Sequence, residues 1–228
     1  MSEIICDKKE EIISLSEIDE LLERKRFQLF LKRIFDIVFS LLGLIILLPV
    51  FLVIAIIIKM DSKGPVFFRQ VRVGKDGKEF KILKFRTMVV DAEKKGMQIT
   101  VGRDSRITKS GHFLRKFKLD ELPQLINVLL GDMSFVGPRP EVPKYVAMYD
   151  EKQINVLKVK PGITDLASIE YKDENTLLGQ SDDPEKTYIE EIMPRKLKLN
   201  IEYIMNLSII FDTKLIFKTI YKIMNTHK

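Results

Sequence analysis

The sequence predicts an α/β protein, mostly α, that is attached to a membrane. Three observations support this class. The 22 residues from Ile37 to Ile58 carry no charge and are almost all apolar, which is enough for a membrane helix. Strand-forming residues surround an Asp-Gly turn at positions 76–77, the signature of a β-hairpin. Leucines and isoleucines recur at helical spacing elsewhere.

The composition narrows the range of functions. The chain has 228 residues, with 38 Lys and Arg against 32 Asp and Glu, a net charge of +6. Such a charge suits a nucleic-acid binder, or a protein that handles phosphorylated substrates on an anionic leaflet. The apolar run favours the second. Cys6 is the single cysteine and the two histidines are far apart, so neither a disulfide framework nor a Cys or His metal site is expected.

Three regions are expected along the chain. Residues 1–31 form an acidic leader and an amphipathic lead-in, residues 32–60 a membrane segment, and residues 61–228 a cytosolic catalytic domain with amphipathic helices at its carboxyl end. The lead-in helix is predicted to start at Ser16, whose hydroxyl can cap it, with Asp19 three residues on. Its apolar positions recur at helical spacing: Leu21, Leu22, Phe30 and Ile34.

The apolar run allows two membrane arrangements. A straight helix from Ile37 to Ile58 would be about 33 Å long, enough to cross a hydrocarbon core of about 30 Å. Pro49 lies near its middle, however, and removes a backbone hydrogen bond there. Five Lys or Arg flank the run on each side, and such residues are retained on the cytoplasmic side. A helix bent at Pro49, with arms of about 18 and 14 Å, would enter and leave by one face. These residues leave re-entry and a simple span equally open.

The region after the membrane segment is predicted to begin with a hairpin. Val66–Phe68 and Glu79–Phe85 have strand character on either side of the turn at 74–77. Residues 91–110 are predicted to be a polar loop with one short helix. The last helix carries a stripe of three lysines, which suits either an anionic surface or plain solvent: Lys214, Lys218 and Lys222.

A second strong helical signal follows the loop. Its apolar face consists of Leu122, Leu125, Ile126 and Leu129. Gly131 is expected to end this helix. Because proline is tolerated only in the first turn, Pro123 places Asp120 and Glu121 at the start of the helix.

Asp120 and Glu121 are the candidate catalytic residues. Carboxylates at a helix start gain from the helix dipole, which favours their ionised form. An ionised Asp can attack phosphorus and form an acyl phosphate. Two carboxylates approach a pyrophosphate only with counter-charge, so we expect Mg²⁺ bound by one carboxylate and the substrate phosphates. Isolated acidic pairs more often serve as helix caps, so the assignment depends on their surroundings.

Basic side chains near this pair predict a phosphate site. Arg115 lies five residues before Asp120. Arg139 stands between two prolines, in a stiff segment suited to bidentate contact with phosphate. Lys84 and Arg86 are two residues apart at the end of the second strand and are expected to point to the same side. With two carboxylates beside a membrane segment, these cations describe a site for a doubly phosphorylated ligand.

Two other function classes compete with this interpretation. A non-catalytic, membrane-tethered basic adapter would explain the charge and the apolar run, but not the acidic pair together with Arg139. A membrane-anchored nucleic-acid binder would interleave aromatics with a basic patch, whereas the 14 Phe and 6 Tyr are scattered over apolar faces. No nucleic-acid partner is therefore expected. Sequence motifs of P-loop, dinucleotide-binding and hydrolase-elbow enzymes are absent.

Six motifs carry a resemblance to a known family. In order, they are Lys32–Asp36, Gly64–Gln70, Lys84–Met88, Leu119–Gln124, Gly131–Pro140 and Lys160–Thr164. From about Lys32 to Thr219 the chain resembles the bacterial sugar transferases, the small monotopic phosphoglycosyl transferases that begin glycoconjugate and exopolysaccharide assembly. The acidic leader lies outside the resemblance.

The resemblance implies an activity and a set of residue roles. Enzymes of this kind transfer a phospho-sugar from a UDP-sugar to undecaprenyl phosphate and release UMP. By similarity, Asp120 is the nucleophile that forms a covalent phosphosugar-aspartyl intermediate, and Glu121 holds Mg²⁺. Arg115 and Arg139 match arginines near the phosphates and the uridine nucleotide. The other residues assigned to substrate binding are Lys84, Arg86, Thr87, Pro138 and Pro140.

The resemblance also implies a fold and a location. Such enzymes have a re-entrant membrane helix broken at a proline, which Pro49 matches, together with surface-lying amphipathic helices among the membrane lipids and a small cytosolic α/β part. They are monotopic on the cytoplasmic face of the bacterial inner membrane. Many relatives continue Gly-x-x-Gln-Val where this chain has Asp165–Ile169, so the sugar is not specified. Whether the chain forms a homodimer is also left open.

Overall fold

The computed structural model describes residues 15–92, 104–170 and 174–225. The acidic leader and the centre of the predicted 91–110 loop lie outside the described residues. The described part is mostly helical with two small sheets, which confirms the predicted class. The helices are α1 (Leu15–Arg24), α2 (Arg26–Asp61), α3 (Lys109–Lys116), α4 (Gln124–Leu130), α5 (Pro143–Val146), α6 (Leu166–Glu170), α7 (Glu174–Gly179), α8 (Pro184–Thr187), α9 (Met193–Met205) and α10 (Ile209–Asn225). The strands are β1 (Phe67–Val73), β2 (Glu79–Phe85), β3 (Ser134–Val136) and β4 (Gly162–Thr164).

The predicted amphipathic lead-in is α1, which turns at Lys25 and continues as α2. Ser16 lies inside the helix rather than capping it. Of the apolar positions named from the sequence, Leu21 and Leu22 are half-buried, whereas Phe30 and Ile34 are exposed. Ile18 is fully buried in the core. The ammonium of Lys25 donates to the carbonyls of Met205 at 2.8 Å and Leu207 at 2.9 Å. The corner between the two helices is therefore tied to the end of α9.

The apolar run is part of α2, a helix of 36 residues that is long and apolar enough to cross a membrane. Helical structure continues through Pro49, and the predicted bend of the helix axis there stays a prediction. One face is buried or half-buried at steps of three or four residues, namely at Leu29, Arg33, Asp36, Ser40, Gly43, Leu47, Phe51, Ile54 and Ile58. The opposite face exposes Phe30, Ile37, Leu41, Ile45, Leu48, Leu52 and Ile56. An exposed apolar face of this length is expected to contact lipid or a partner protein.

Polar contacts hold both ends of α2 to the same globular part. Near its start, Asp36 Oδ1 accepts hydrogen bonds from Ser134 Oγ at 3.0 Å and from the Phe135 backbone N–H at 3.1 Å. At its end, Asp61 Oδ2 accepts from the Ser110 N–H at 2.9 Å and from its hydroxyl at 2.7 Å. The long helix therefore lies along the globular part instead of projecting away from it.

The hairpin forms where the sequence predicts it. β1 and β2 pair antiparallel, from Phe67 opposite Phe85 to Val73 opposite Glu79. Gly77 in the connecting turn has φ 74°, a conformation that glycine adopts without steric cost.

The helix after the acidic pair is α4, which ends at Gly131 with φ 97°, as predicted. Its buried residues are Gln124, Leu125, Asn127 and Val128. The apolar face named from the sequence is therefore only half right, because Asn127 and Gln124 turn inward. Asn127 Oδ1 accepts from the Leu83 N–H, and its Nδ2 donates to the Lys81 carbonyl, each at 2.9 Å. The amide thus pairs with the outer edge of β2 where a third strand would lie.

A second, parallel sheet was not predicted. β3 and β4 pair, but each is three residues long, too short to give an alternation signal. A Cβ on Gly162 would lie 2.1 Å from the backbone nitrogen of Gly137, so only glycine fits there. The backbones of the two motifs Gly131–Pro140 and Lys160–Thr164 are therefore in direct contact.

The lysine stripe of α10 contacts α6. Lys218 pairs with Glu170 at 2.8 Å, and Lys222 donates to the carbonyl of Ile169. Lys214 and Lys218 remain exposed, so the choice between an anionic surface and plain solvent stays a prediction. Among its described side chains, α10 exposes the large hydrophobic residues Ile210, Phe217, Ile220 and Tyr221.

Candidate active site

Asp120 and Glu121 lie in a short 3-10 turn ahead of α4. The prediction that they open the helix itself is wrong, because Leu122 and Pro123 separate them from it. Lys118, directly before this turn, has φ 56°, a left-handed conformation that is costly for a residue with a Cβ. This strained residue redirects the chain from α3 into the acidic pair.

Glu121 is the anion of a half-buried ion cluster. Its Oε1 accepts from Lys84 Nζ at 2.9 Å and from Arg139 Nη2 at 2.5 Å. The side chains are 12% exposed for Glu121, 19% for Lys84 and 31% for Arg139. Burial alone would raise the pKa of Glu121, but the charges of Arg139 and Lys84 outweigh burial and hold this pKa well below its usual range. Glu121 is therefore ionised. Its carboxylate bridges Lys84 of β2 and Arg139 of the loop after β3.

Asp120 has a different environment. The residue is buried, and its Oδ1 has no hydrogen-bond partner among the residues that the structure describes. Burial raises the pKa of Asp120, and the charge of Glu121 raises it further. Lys84, Lys118 and Arg115 act in the opposite direction. A desolvated carboxylate oxygen without a donor is costly, and here that oxygen is enclosed by the protein.

Thr87 positions Arg115. The Nε of Arg115 donates to Thr87 Oγ1 at 2.8 Å, and Thr87, just after β2, is buried. The helix that carries Arg115 packs tightly on this residue, since a Cβ on Gly111 would lie 2.1 Å from the Thr87 carbonyl oxygen. Burial lowers the pKa of Arg115, whereas the charge of Asp120 raises it. The guanidinium is therefore close enough to interact electrostatically with Asp120.

The guanidinium of Arg86 binds the backbone just after the end of α2. Its Nη2 donates to the Ser62 carbonyl at 2.7 Å and to the Ser62 hydroxyl at 2.9 Å, and its Nη1 donates to the Lys63 carbonyl at 3.0 Å. Lys84 contacts Glu121 instead. The structure therefore does not bring Lys84 and Arg86 together on one partner.

Pro138 and Pro140 anchor the segment that presents Arg139. Both prolines are buried. The carbonyl of Pro138 accepts from the Gly162 N–H at 2.9 Å, and the carbonyl of Pro140 accepts from Arg72 Nη1 at 3.0 Å. The stiff segment predicted around Arg139 is thus fixed on both sides by its neighbours.

The acidic pair suits a magnesium ion shared with a substrate. Within residues 15–92, 104–170 and 174–225, no three His, Cys, Asp or Glu side chains gather into a metal cage. Mg²⁺ is commonly bound by one or two carboxylates together with substrate phosphates and waters. Asp120 and Glu121 supply hard oxygen donors, and the buried Oδ1 of Asp120 lacks a donor among the described residues. These residues fit such an ion.

Sequence reasoning missed two residues that shape the site. Asn127 orients α4 against β2, and its signal was available as a lone amide within the apolar run Leu-Ile-Asn-Val-Leu. Lys118 sets the direction of the turn that carries the acidic pair. It leaves no sequence signal, because a left-handed backbone is not expected at lysine.

The sequence model of the bacterial sugar transferase family matches residues 27–226. The chain belongs to this family, which confirms the resemblance carried by the six motifs.

Three curated relatives illustrate the similarity. The UDP-glucose:undecaprenyl-phosphate glucose-1-phosphate transferase of Escherichia coli (strain K12) is 43% identical over 195 residues, which cover 84% of this chain and 40% of the relative. The UDP-N-acetylgalactosamine-undecaprenyl-phosphate N-acetylgalactosaminephosphotransferase of Aeromonas hydrophila is 37% identical over 198 residues, covering 86% and 44%. The chain thus spans about two fifths of the length of these relatives. The exopolysaccharide production protein PSS of Rhizobium leguminosarum bv. phaseoli is 39% identical over 203 residues, covering 84% and 94%.

Proposed function

We propose that the chain transfers a sugar phosphate from a UDP-sugar to undecaprenyl phosphate and releases UMP, as a first membrane step of exopolysaccharide or glycoconjugate assembly. The observation that carries this proposal is the partnerless oxygen of Asp120 beside the cluster of Glu121, Lys84 and Arg139. The names of the Escherichia coli and Aeromonas hydrophila relatives supply the donor and acceptor classes.

In the first step Asp120 is the nucleophile. A carboxylate oxygen bonds to the β-phosphorus of the UDP-sugar while the bond from that phosphorus to the bridging oxygen breaks. UMP leaves with the electron pair, and Asp120 carries the phosphosugar as an acyl phosphate. Bond formation removes a carboxylate charge that burial and Glu121 disfavour, so the environment of Asp120 assists this step.

In the second step an oxygen of undecaprenyl phosphate attacks the same phosphorus. The acyl–phosphate bond breaks, Asp120 is regenerated as a carboxylate, and the product is undecaprenyl diphosphate bearing the sugar. One phosphoanhydride replaces another, so no external energy source is needed. Because the intermediate is covalent, ping-pong kinetics are expected.

Lys84 and Arg139 bind the substrate phosphates. Both contact Glu121, and a diphosphate offers charge and acceptor oxygens that compete for the same donors. Arg115, held by Thr87, adds a third positive charge that acts on Asp120. Arg86 and the two prolines support the site through the backbone rather than through the ligand.

Glu121 and the substrate phosphates would hold Mg²⁺. When bound, the ion supplies positive charge between the carboxylates and the diphosphate. The protein's own part is to keep Glu121 ionised through Arg139 and Lys84, so that a hard anionic oxygen is available at neutral pH.

We infer that α2 enters and leaves the membrane by the cytoplasmic face. Asp36 near its start and Asp61 at its end both bind the same globular part, and one face of the helix is buried or half-buried from Leu29 to Ile58. In a simple span these two ends would lie on opposite sides of the bilayer, and the polar residues that contact them would enter the hydrocarbon. Re-entry keeps the globular part in the cytosol and places the exposed apolar face in lipid.

Thiol labelling tests this topology. The natural Cys6 reports on the leader, and Gln180→Cys in a Cys6→Ser background reports on the globular part, where residue 180 is exposed. On intact spheroplasts, a membrane-impermeant reagent should label neither cysteine until the membrane is permeabilised. Labelling of Cys6 alone would mean that α2 spans the membrane.

The chemistry is tested with purified protein, undecaprenyl phosphate, Mg²⁺ and a panel of UDP-sugars. UMP release is expected with at least one sugar, and without acceptor the protein mass should increase by one phosphosugar. Asp120→Asn should abolish both signals while unfolding at the wild-type temperature. Asp182→Asn, at an exposed position, is the matched control and should keep both. Unchanged UMP release by Asp120→Asn would refute the covalent mechanism.

A further inference from the structure

A cavity of about 390 Å³ lies at the opposite end of α4 from the acidic pair. Arg33 in its wall donates to the carbonyls of Val128 at 2.6 Å and Leu129 at 2.9 Å, in the last turn of α4. Asp120 and Glu121 precede the first turn. The seven residues of this helix, about 10 Å in length, therefore separate the cavity from the proposed active site.

The wall of the cavity is strongly basic. Its cations are Arg26, Lys32, Arg33, Lys75, Lys158 and Lys160, against the two acids Glu23 and Asp36. Two of the cations have acidic partners outside the wall, since Lys32 pairs with Asp212 and Lys158 with Asp19. The carboxylate of Asp36 already accepts two hydrogen bonds from β3. The wall therefore retains an excess of positive charge.

Arg33 and Lys160 bring two of these charges close together. A Cβ on Gly131 would lie 3.2 Å from Arg33 Nη2 and 3.3 Å from Lys160 Nζ, so both groups flank a single point. Lys160 is half-buried, and no carboxylate in the described ranges forms an ion pair with it. Burial lowers the pKa of Lys160, and the charges of Arg33 and Lys75 act in the same direction, whereas the charges of Asp36 and Asp132 raise it. An anion between Arg33 and Lys160 would relieve the repulsion between these two cations.

The remaining wall is apolar and lies at the start of the membrane helix. Its apolar side chains include Leu22, Leu29, Val136, Tyr203 and Leu207. A cationic group above an apolar wall, at the start of the membrane helix, matches an amphiphile with a negatively charged head.

We propose that this cavity binds the phosphate headgroup of a membrane lipid. Lys160, Lys75 and Arg33 contact the phosphate, and the apolar wall contacts the first carbons of the lipid. The lipid thereby fastens the beginning of α2 and the end of α4 at the membrane surface. The site is separate from the proposed transferase chemistry and does not require it.

The experiment is a thermal-unfolding titration of the full chain in detergent, because a ligand that binds the folded state raises the transition temperature. Short-chain phosphatidylglycerol should bind, whereas short-chain phosphatidylcholine and inorganic phosphate should bind at least tenfold more weakly. Lys75→Gln with Lys160→Gln should weaken phosphatidylglycerol binding about 30-fold, the effect of two charges near a lipid surface. The matched control is Lys78→Gln with Lys152→Gln. It removes the same charge from exposed positions outside the cavity and should bind like the wild type.

Each other outcome decides against the proposal. No transition shift with phosphatidylglycerol, or an equal loss in the control pair, would overturn the site. Inorganic phosphate binding as tightly as phosphatidylglycerol, and lost in the Lys75 and Lys160 variant, would overturn the lipid assignment. If that variant does not fold, Lys75→Gln alone, on the exposed hairpin turn, should weaken binding about fivefold. Repeating the titration with Asp120→Asn keeps the result independent of turnover.

Discussion

Replacing Asn127 with leucine tests how the hairpin and α4 hold the active site together. The Asn127 amide bonds the Leu83 N–H and the Lys81 carbonyl, each at 2.9 Å, on the edge of β2 that has no neighbouring strand within the described residues. Leucine has a similar size but offers neither a donor nor an acceptor. Lys84 follows on the same strand, so the substitution also loosens the position of Lys84 relative to Glu121.

The expected cost follows from the burial of this contact. Asn127 is 2% exposed, so water cannot take its place. Each buried backbone group left without a partner costs about 1–3 kcal/mol, and two groups cost about 2–6 kcal/mol. Domains are typically stable by about 5–15 kcal/mol, so the loss is a large fraction of the total. For a chain of this size it corresponds to a decrease in transition temperature of about 4–24 °C.

The assay is thermal unfolding of both proteins in the same detergent, followed by circular dichroism. Asn206→Leu is the matched control, because Asn206 is exposed and its amide bonds only to Glu202 within its own helix. That variant should stay within about 0.5 kcal/mol of the wild type. If Asn127→Leu unfolds at the same temperature as Asn206→Leu, the amide does not hold the edge of β2 and the reasoning is refuted.

Three further substitutions address the site and its surroundings. Glu121→Gln removes the counter-ion of Lys84 and Arg139 and should lower the transition temperature. In the fraction that stays folded, the Mg²⁺ dependence of UMP release should move to about tenfold higher concentration, and an unaltered titration would count against Glu121 as the ligand. Lys118→Gly should raise the free energy of unfolding by about 1 kcal/mol, because glycine adopts the left-handed conformation freely. Lys118→Ala removes the same charge but should give no such gain, and equal melting of these two variants would contradict the strain. Burial and the charge of Glu185 raise the pKa of Tyr145 to about 12, while tyrosine in the unfolded chain ionises near pH ~10. The unfolded state therefore loses its proton first, and the free energy of unfolding falls between about pH 10 and pH 12. Tyr145→Phe should reduce this loss by about 2 kcal/mol, as measured by unfolding in alkaline buffers. A variant that loses as much stability as the wild type would contradict the raised pKa.

The parts of the fold that depend on local sequence were predictable. The hairpin follows from an Asp-Gly turn between two short strands, and the end of α4 follows from Gly131. The β3–β4 pair was not predictable, because each strand has three residues and the pairing depends on the close approach of Gly137 to Gly162. Local patterns do not encode such a distant backbone contact.

The residues of the candidate site were predictable, but not all of their contacts. The sequence identifies the acidic pair and the cations around it, and the structure brings Lys84, Arg139 and Glu121 into contact. The sequence did not reveal that Arg86 is bound to the end of α2, because its partners Ser62 and Lys63 lie 24 and 23 residues earlier in the chain. It also did not distinguish the roles of the two carboxylates, since these depend on partners distant in the chain.

Adjacent carboxylates with opposite environments can be assigned different roles. Removing the charge of Glu121 would leave Lys84 and Arg139 half-buried without their counter-ion, which is strongly destabilising. Removing the charge of Asp120 costs less, because Oδ1 has no hydrogen-bond partner among the described residues, and burial and Glu121 disfavour the ionised form while Lys84, Lys118 and Arg115 favour it. Of the two acids, only Asp120 can therefore become an acyl phosphate while the cation cluster stays intact. A phosphosugar trapped without acceptor should accordingly map to residue 120, and its recovery on Glu121 would reverse the assignment.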